Sequence, residues 1–285
     1  MGSGSKFLMK RLGFSFFFIL LLTVAAVPLQ AAGQGFDHSL WDAFLKKYVN
    51  EKGEVNYAAV KQDPSMLNDY LNLFSTEAPD GFGVSWPREE MLAFWMNVYN
   101  AGVIKLIVEH YPVKNIQQIP SVWDISAIHI GDKMQVSLNE IRMQRLIGAY
   151  RDEKIHLALS CGAEGCPKLQ RQAFTGANVE GQLFLATRAF LRDPQNVEII
   201  PGKKKIKLSR IFKWYGYDFN LDFGTPERIG KFSNEEMSVL SFLAYYLENE
   251  DQIAFLEEGH YKIYYFPFDW TLNDWKADAP SAVAK

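Results

Sequence analysis

Met91-Leu92-Ala93-Phe94-Trp95-Met96-Asn97-Val98-Tyr99-Asn100-Ala101-Gly102-Val103-Ile104-Lys105-Leu106-Ile107-Val108 is apolar on nearly every face when wound as a helix. A helix that is hydrophobic all round must be enclosed by protein, so this stretch predicts a central helix against which the other elements pack. Ser85 is placed to cap it, Pro87, Glu89 and Glu90 suit a first turn, and Pro112 stops it after Tyr111. Its length approaches that of a thin membrane span, but Asn97, Asn100, Lys105 and Glu109 interrupt the apolar surface and argue against one.

Outward from this helix, Phe36 to Val49 and Pro64 to Phe74 repeat apolar residues at helical spacing and read as two short helices joined by a turn around Gly53. Ala127 to Ile130 and Lys133 to Val136 flank Gly131-Asp132 as a hairpin. Ser137 with Glu140 is a capping box opening a helix through Ile147, and Ile155 to Ser160 reads as a strand. Thr175 caps a helix to about Leu191, and Val197 to Leu208 forms a second hairpin through Pro201-Gly202. Ser233 with Glu236 caps a helix to Leu247, and Tyr261 to Phe266 is an aromatic strand. Without repeats or a long linker, the pattern predicts one α+β domain over residues 36–276. It has a helical N-terminal part, a central buried helix and a mostly antiparallel sheet with hairpins; residues 277–285 read as a disordered tail.

Lys6, Lys10 and Arg11 precede the apolar run Phe16 to Val27, and small residues follow, as in a secretory signal peptide. Residues 1–31 are therefore expected to be removed, with cleavage after Gly33 as the rival and a retained anchor as the alternative. The protein is expected to be exported to a periplasmic or extracellular location. The formal charge of the 285-residue chain is -3, and signal removal would take away three cations, so neither nucleic acid nor an anionic membrane surface is expected as a partner. Lys203-Lys204-Lys205 and Lys207 fall at a hairpin turn and read as a solvated tip.

The reactive chemistry concentrates in His156-Leu157-Ala158-Leu159-Ser160-Cys161-Gly162-Ala163-Glu164-Gly165-Cys166-Pro167, which holds both cysteines of the chain. Cys161 beside a glycine turn can serve as a nucleophile if a histidine or aligned backbone N–H groups lower its pKa. His156 is the first-choice base, although a strict strand would turn it away from Cys161, leaving His110, His129 or His260 as alternatives. A Cys161–Cys166 disulfide excludes that role. His156, Cys161 and Cys166 lack the paired spacing of a zinc module, so no metal or cofactor is expected.

Asn97 and Asn100 share a face of the central helix, where each amide needs a partner; they either orient a catalytic group or pin neighbouring loops. Trp214, Tyr215 and Asp218 follow Ser209, which suits a helix cap. Asp218 is the carboxylate best suited to pair with a histidine, and the two aromatic residues are candidates for lining a binding site. The Asp269-Trp270 pair reads as structural.

Phe94-Trp95-Met96-Asn97-Val98-Tyr99-Asn100, His156 to Pro167, and Lys213-Trp214-Tyr215-Gly216-Tyr217-Asp218-Phe219 together resemble the domain-of-unknown-function 547 family. The resemblance runs from about Leu40, through Gly53 to Tyr57, to Asp269-Trp270. It implies a shared fold and motif set but no assigned activity. In that family the first cysteine of the loop recurs more reliably than the second, and plant members tend to carry Ser in place of the second. The resemblance therefore implies a role for Cys161 that does not need Cys166. Two functions follow as expectations. One is a cysteine-dependent hydrolase or acyl-transferase, with Cys161 as nucleophile, His156 as base and Asn97, Asn100 or Asp218 as orienters. The other is a non-catalytic binding domain whose Cys161–Cys166 loop is clamped by a disulfide. The partner in either case is an unidentified small molecule, peptide or envelope substrate.

Overall fold

The structure, a computed structural model, describes residues 35–78, 86–224 and 231–275; the expected signal segment, the Ser85 cap and the tail lie outside them. Helices α1 (Ser39–Tyr48), α2 (Tyr57–Gln62) and α3 (Ser65–Thr76) precede the long α4 (Arg88–His110). Helix α1 buries Trp41, Phe44, Leu45 and Tyr48 at the spacing of one helical face. Between the two N-terminal helices expected from the sequence lies α2, a six-residue helix whose Asn56 cap accepts from the Ala59 N–H.

Residues on all sides of α4 are buried, and 89% of its most apolar window lies inside the fold, as its composition requires. Its N-cap is Pro87, and Glu89 and Glu90 in the first turn complement the helix dipole. The helix ends at His110 because Tyr111, which precedes Pro112, is held in extended backbone.

Strands β1 (Ile128–Ile130) and β2 (Met134–Val136) pair antiparallel about a turn in which Gly131 takes φ +59°. The Ser137–Glu140 capping box then opens α5 (Leu138–Glu140), which widens into a π-helical run (Ile141–Ile147) and ends as α6 (Gly148–Tyr150).

The expected strand from Ile155 to Ser160 is instead a 3-10 turn (Glu153–Leu157) followed by irregular chain. Its N–H groups bond locally, Ala158 and Leu159 both to the Ile155 carbonyl, and its side chains are buried on every side. A short apolar run buried all round has no period to separate strand from helical turn.

Helix α7 (Val179–Arg192) has Asn178 rather than Thr175 at its N-cap. Strand β3 (Val197–Ile200) pairs antiparallel with β4 (Lys205–Leu208). The chain continues through α8 (Arg210–Trp214), a 3-10 turn (Gly216–Phe219), α9 (Asn220–Phe223), α10 (Asn234–Tyr246) and α11 (Glu250–Glu258). It returns as β5 (Lys262–Tyr265), parallel to β4. The antiparallel expectation therefore holds for the two hairpins and not for the last strand, because a helical crossover brings a strand back in the same direction.

The described residues form one compact α+β unit with two hydrophobic clusters. The larger surrounds α4; the smaller gathers Phe190, Phe212, Phe219 and Phe242 between α7, α10 and the three-stranded sheet. The 3-10 turn before the cysteine loop joins them: Ile155, Ala158 and Leu159 belong to the first cluster and Leu157 to the second. His156 thus lies at the seam.

Candidate functional site

A cavity of about 480 Å³ opens along this seam, walled by Tyr99, Trp123, Trp214, Tyr215, Phe268 and Trp270 and reached by Arg142, His156 and Cys161. The His156 ring stacks on Tyr215, with centroids 4.1 Å apart and planes 5° from parallel. Its Nε2 lies 2.8 Å from Asp218 Oδ2. Burial lowers the His156 pKa, the Asp218 hydrogen bond and charge oppose that shift, and the nearby Arg142 adds to it. The neutral ring therefore places its proton on Nε2, donating to Asp218, and leaves Nδ1 as an acceptor with no partner among the described residues.

Arg142, from the π-helical run, sits over the Tyr215 ring at 4.9 Å and donates to the Tyr215 hydroxyl. Among the described residues no carboxylate pairs with it, and it is the one formally charged side chain in the cavity wall. Tyr99, enclosed at the cavity floor, has its phenol pushed up to about 12, chiefly by burial.

Cys161 is half-buried on the cavity wall and is joined to Cys166 in a disulfide, with the two Cα atoms 5.7 Å apart. Cys166 is 5% exposed and borders a separate polar recess with Lys52, Glu54 and Asn196. With both sulfurs consumed, no free thiol exists at this loop.

The loop has further ties besides the disulfide. Gly162 takes φ +76°, a left-handed backbone that favours glycine, and a Cβ there would lie 2.4 Å from Ile107 Cδ1, which would have to move aside. The Gly162 carbonyl accepts from Asn273 N–H, Glu164 N–H donates to Thr271 O at 2.8 Å, and Gly165 N–H donates to Asp269 O at 2.9 Å. This ladder also delivers Phe268 and Trp270 to the cavity.

Asn97 and Asn100 do not reach the cavity. Asn97 is fully buried and clamps Phe174, donating to its carbonyl at 2.8 Å and accepting from its N–H at 3.0 Å. Asn100 accepts from Ser160 N–H at 3.1 Å and so holds the chain one residue before Cys161. His110, His129 and His260 are all exposed and outside the cavity. His156, Cys161, Trp214 and Tyr215 line it together, with Asp218 behind His156.

Sequence reasoning missed Arg142 and Trp123, which carry no local motif, and it gave Trp270 a structural reading although that ring lines the wall. Among the described residues no group of three or more His, Cys, Asp or Glu side chains could hold a metal ion.

Residues 84–191 match the family model described as protein of unknown function, DUF547. The match supports the resemblance and spans the Phe94–Asn100 motif and the cysteine loop, while the Lys213–Phe219 motif lies beyond it. No curated protein and no solved structure matches the chain.

Proposed function

For a chain whose DUF547 segment brings no assigned activity, we propose a binding function: the seam cavity takes a small organic anion with a flat, largely apolar body. The observation that carries this reading is Arg142, a cation without a carboxylate partner among the described residues, in a wall built mainly from aromatic and aliphatic side chains with the neutral His156, Asn139 and the disulfide. A carboxylate can share its guanidinium while the rings cover the body of the ligand. The disulfide in the wall fits an exported protein, periplasmic or extracellular, since such bonds persist in oxidising compartments.

Titration of tryptophan fluorescence with aromatic carboxylates and their neutral amides tests the reading. The carboxylate should bind about tenfold or more tighter than its amide, as a charge-assisted hydrogen bond provides, and Arg142→Gln should abolish the difference. Equal affinity of acid and amide for the native protein would refute it.

A second reading, a cysteine-dependent hydrolase or acyl-transferase acting on an amide or thioester-type bond, draws support from the His156–Asp218 pair beside Cys161. It needs the reduced loop, with His156 Nδ1 as base and Asp218 holding the ring. An acyl group trapped on Cys161 after reduction, from a thioester probe, would favour it; a reduced protein inert to such probes would remove it.

A further inference from the structure

The disulfide is asymmetric in its surroundings. Cys161 faces the large cavity and is half-buried, whereas Cys166 is enclosed and borders a different, polar recess. A disulfide is attacked along the S–S axis, and the sulfur on the open side receives the attacking thiolate while the far sulfur leaves. The cavity therefore gives access to Cys161 and makes Cys166 the leaving sulfur.

The loop has ties besides the disulfide, to residues 269–273 by backbone hydrogen bonds and to α4 by Asn100, so its path does not rest on that bond alone. The remaining cavity groups suit an incoming thiol. His156 lines the cavity, its Nδ1 has no partner among the described residues and can take a thiol proton, and Arg142 attracts an anionic ligand to the same space.

We infer that the Cys161–Cys166 disulfide is a reactive group that exchanges with small anionic thiols entering the seam cavity. This inference rests on the binding reading for its substrate class.

In the first step the thiol gives its proton to His156 and its sulfur bonds to Cys161 Sγ. The Cys161–Cys166 bond breaks, and its electron pair stays on Cys166 as thiolate, which then takes up the proton. A second thiol of the same class attacks the ligand sulfur of the mixed disulfide and releases the Cys161 thiol. In total two thiols are oxidised to one small-molecule disulfide, and the protein disulfide is reduced to two thiols.

The test uses the full oxidised chain with para-mercaptobenzoate, its neutral amide and cysteamine as probes. Acid-quenched, iodoacetamide-blocked samples are mapped by mass spectrometry, with rates corrected for each thiol's pKa. The inference expects a mixed disulfide on Cys161 alone, alkylated Cys166, and a corrected rate for para-mercaptobenzoate at least tenfold above its amide and above cysteamine. Arg142→Gln should erase that preference while retaining the native melting transition.

Adducts shared equally between the two cysteines, equal corrected rates, or reduction no faster than global unfolding would overturn it. Benzoate binding followed by tryptophan fluorescence in parallel separates the two readings. Benzoate binding without exchange removes only the reactive disulfide, and absence of both removes the binding reading as well.

Discussion

Replacing Glu153 by Gln should remove a pH-dependent burden from the turn that carries His156. Glu153 is 2% exposed, and its Oε2 has no hydrogen-bond partner. Burial raises its carboxyl from 4.5 to about 7; its own backbone N–H and Lys154 pull it down, and Asp152 and Asp222 push it up. The folded protein thus keeps a proton that the unfolded chain releases above pH 4.5, so stability falls as pH rises through the window from 4.5 to about 7. Fully expressed, this amounts to roughly 3 kcal/mol. Glu153→Gln keeps the shape and cannot ionise. Its stability should equal that of the parent near pH 4.5 and exceed it by about 2–3 kcal/mol at pH 8. Urea unfolding at several pH values measures the difference. His38, whose pKa burial lowers to about 4, acts with the opposite sign between that value and 6.5, but it is common to both proteins and cancels in the comparison. A stability difference that stays constant from pH 4.5 to 8, or a less stable Gln variant at pH 8, would refute the reasoning.

Asn97→Leu leaves the Phe174 N–H and carbonyl buried without partners and should lower stability by about 2–4 kcal/mol in denaturant unfolding; an unchanged midpoint would show that water or a shifted loop replaces both bonds. Asn100→Leu strands one backbone donor, that of Ser160, and should cost about 1–3 kcal/mol while weakening benzoate binding, because the cysteine wall loses its tether; wild-type affinity would place that wall under the control of the 269–273 ladder alone. Gly162→Ala combines a left-handed backbone with a collision against Ile107 and should lower the melting temperature by several degrees, which calorimetry reads directly.

The elements legible in the sequence are those whose signal is local. An apolar surface on every face identified α4, reciprocal Ser–Glu pairs identified the starts of α5 and α10, and Gly131 and Pro201-Gly202 marked the hairpins. The turn through His156 was illegible because its burial on all sides erases any period. The direction of β5 depends on a crossover through four helices, α8 to α11, which no local pattern encodes. At the site, His156, Cys161, Trp214 and Tyr215 were recognisable as unusual residue types in a dense pattern. Arg142 was not: in Ile141-Arg142-Met143-Gln144-Arg145 the π-helical widening changes which positions face inward, so ordinary helical phasing misassigns it. The spacing of the two cysteines allowed either a bond or a free thiol, and only the loop's path decides for the bond.

The ladder that seats the cysteine loop is also a clock for synthesis. Tyr57 reaches Asn273 across 216 positions of sequence, Val55 N–H donates to Asn273 O, and Leu272 N–H donates to Lys114 O. Residues near the start, middle and end of the fold therefore close on one short strip of backbone. Contacts this distant in sequence form late, because the intervening chain must already be ordered before they can contribute. A nascent chain that has produced His156, Cys161 and Cys166 but not yet Phe268 to Asn273 lacks one wall of the cavity and the rail along which the loop is set. The site is then finished only once residues 268–273 have emerged, and a protein cut short just after β5 would keep most of its helices while losing the chamber they were built to frame.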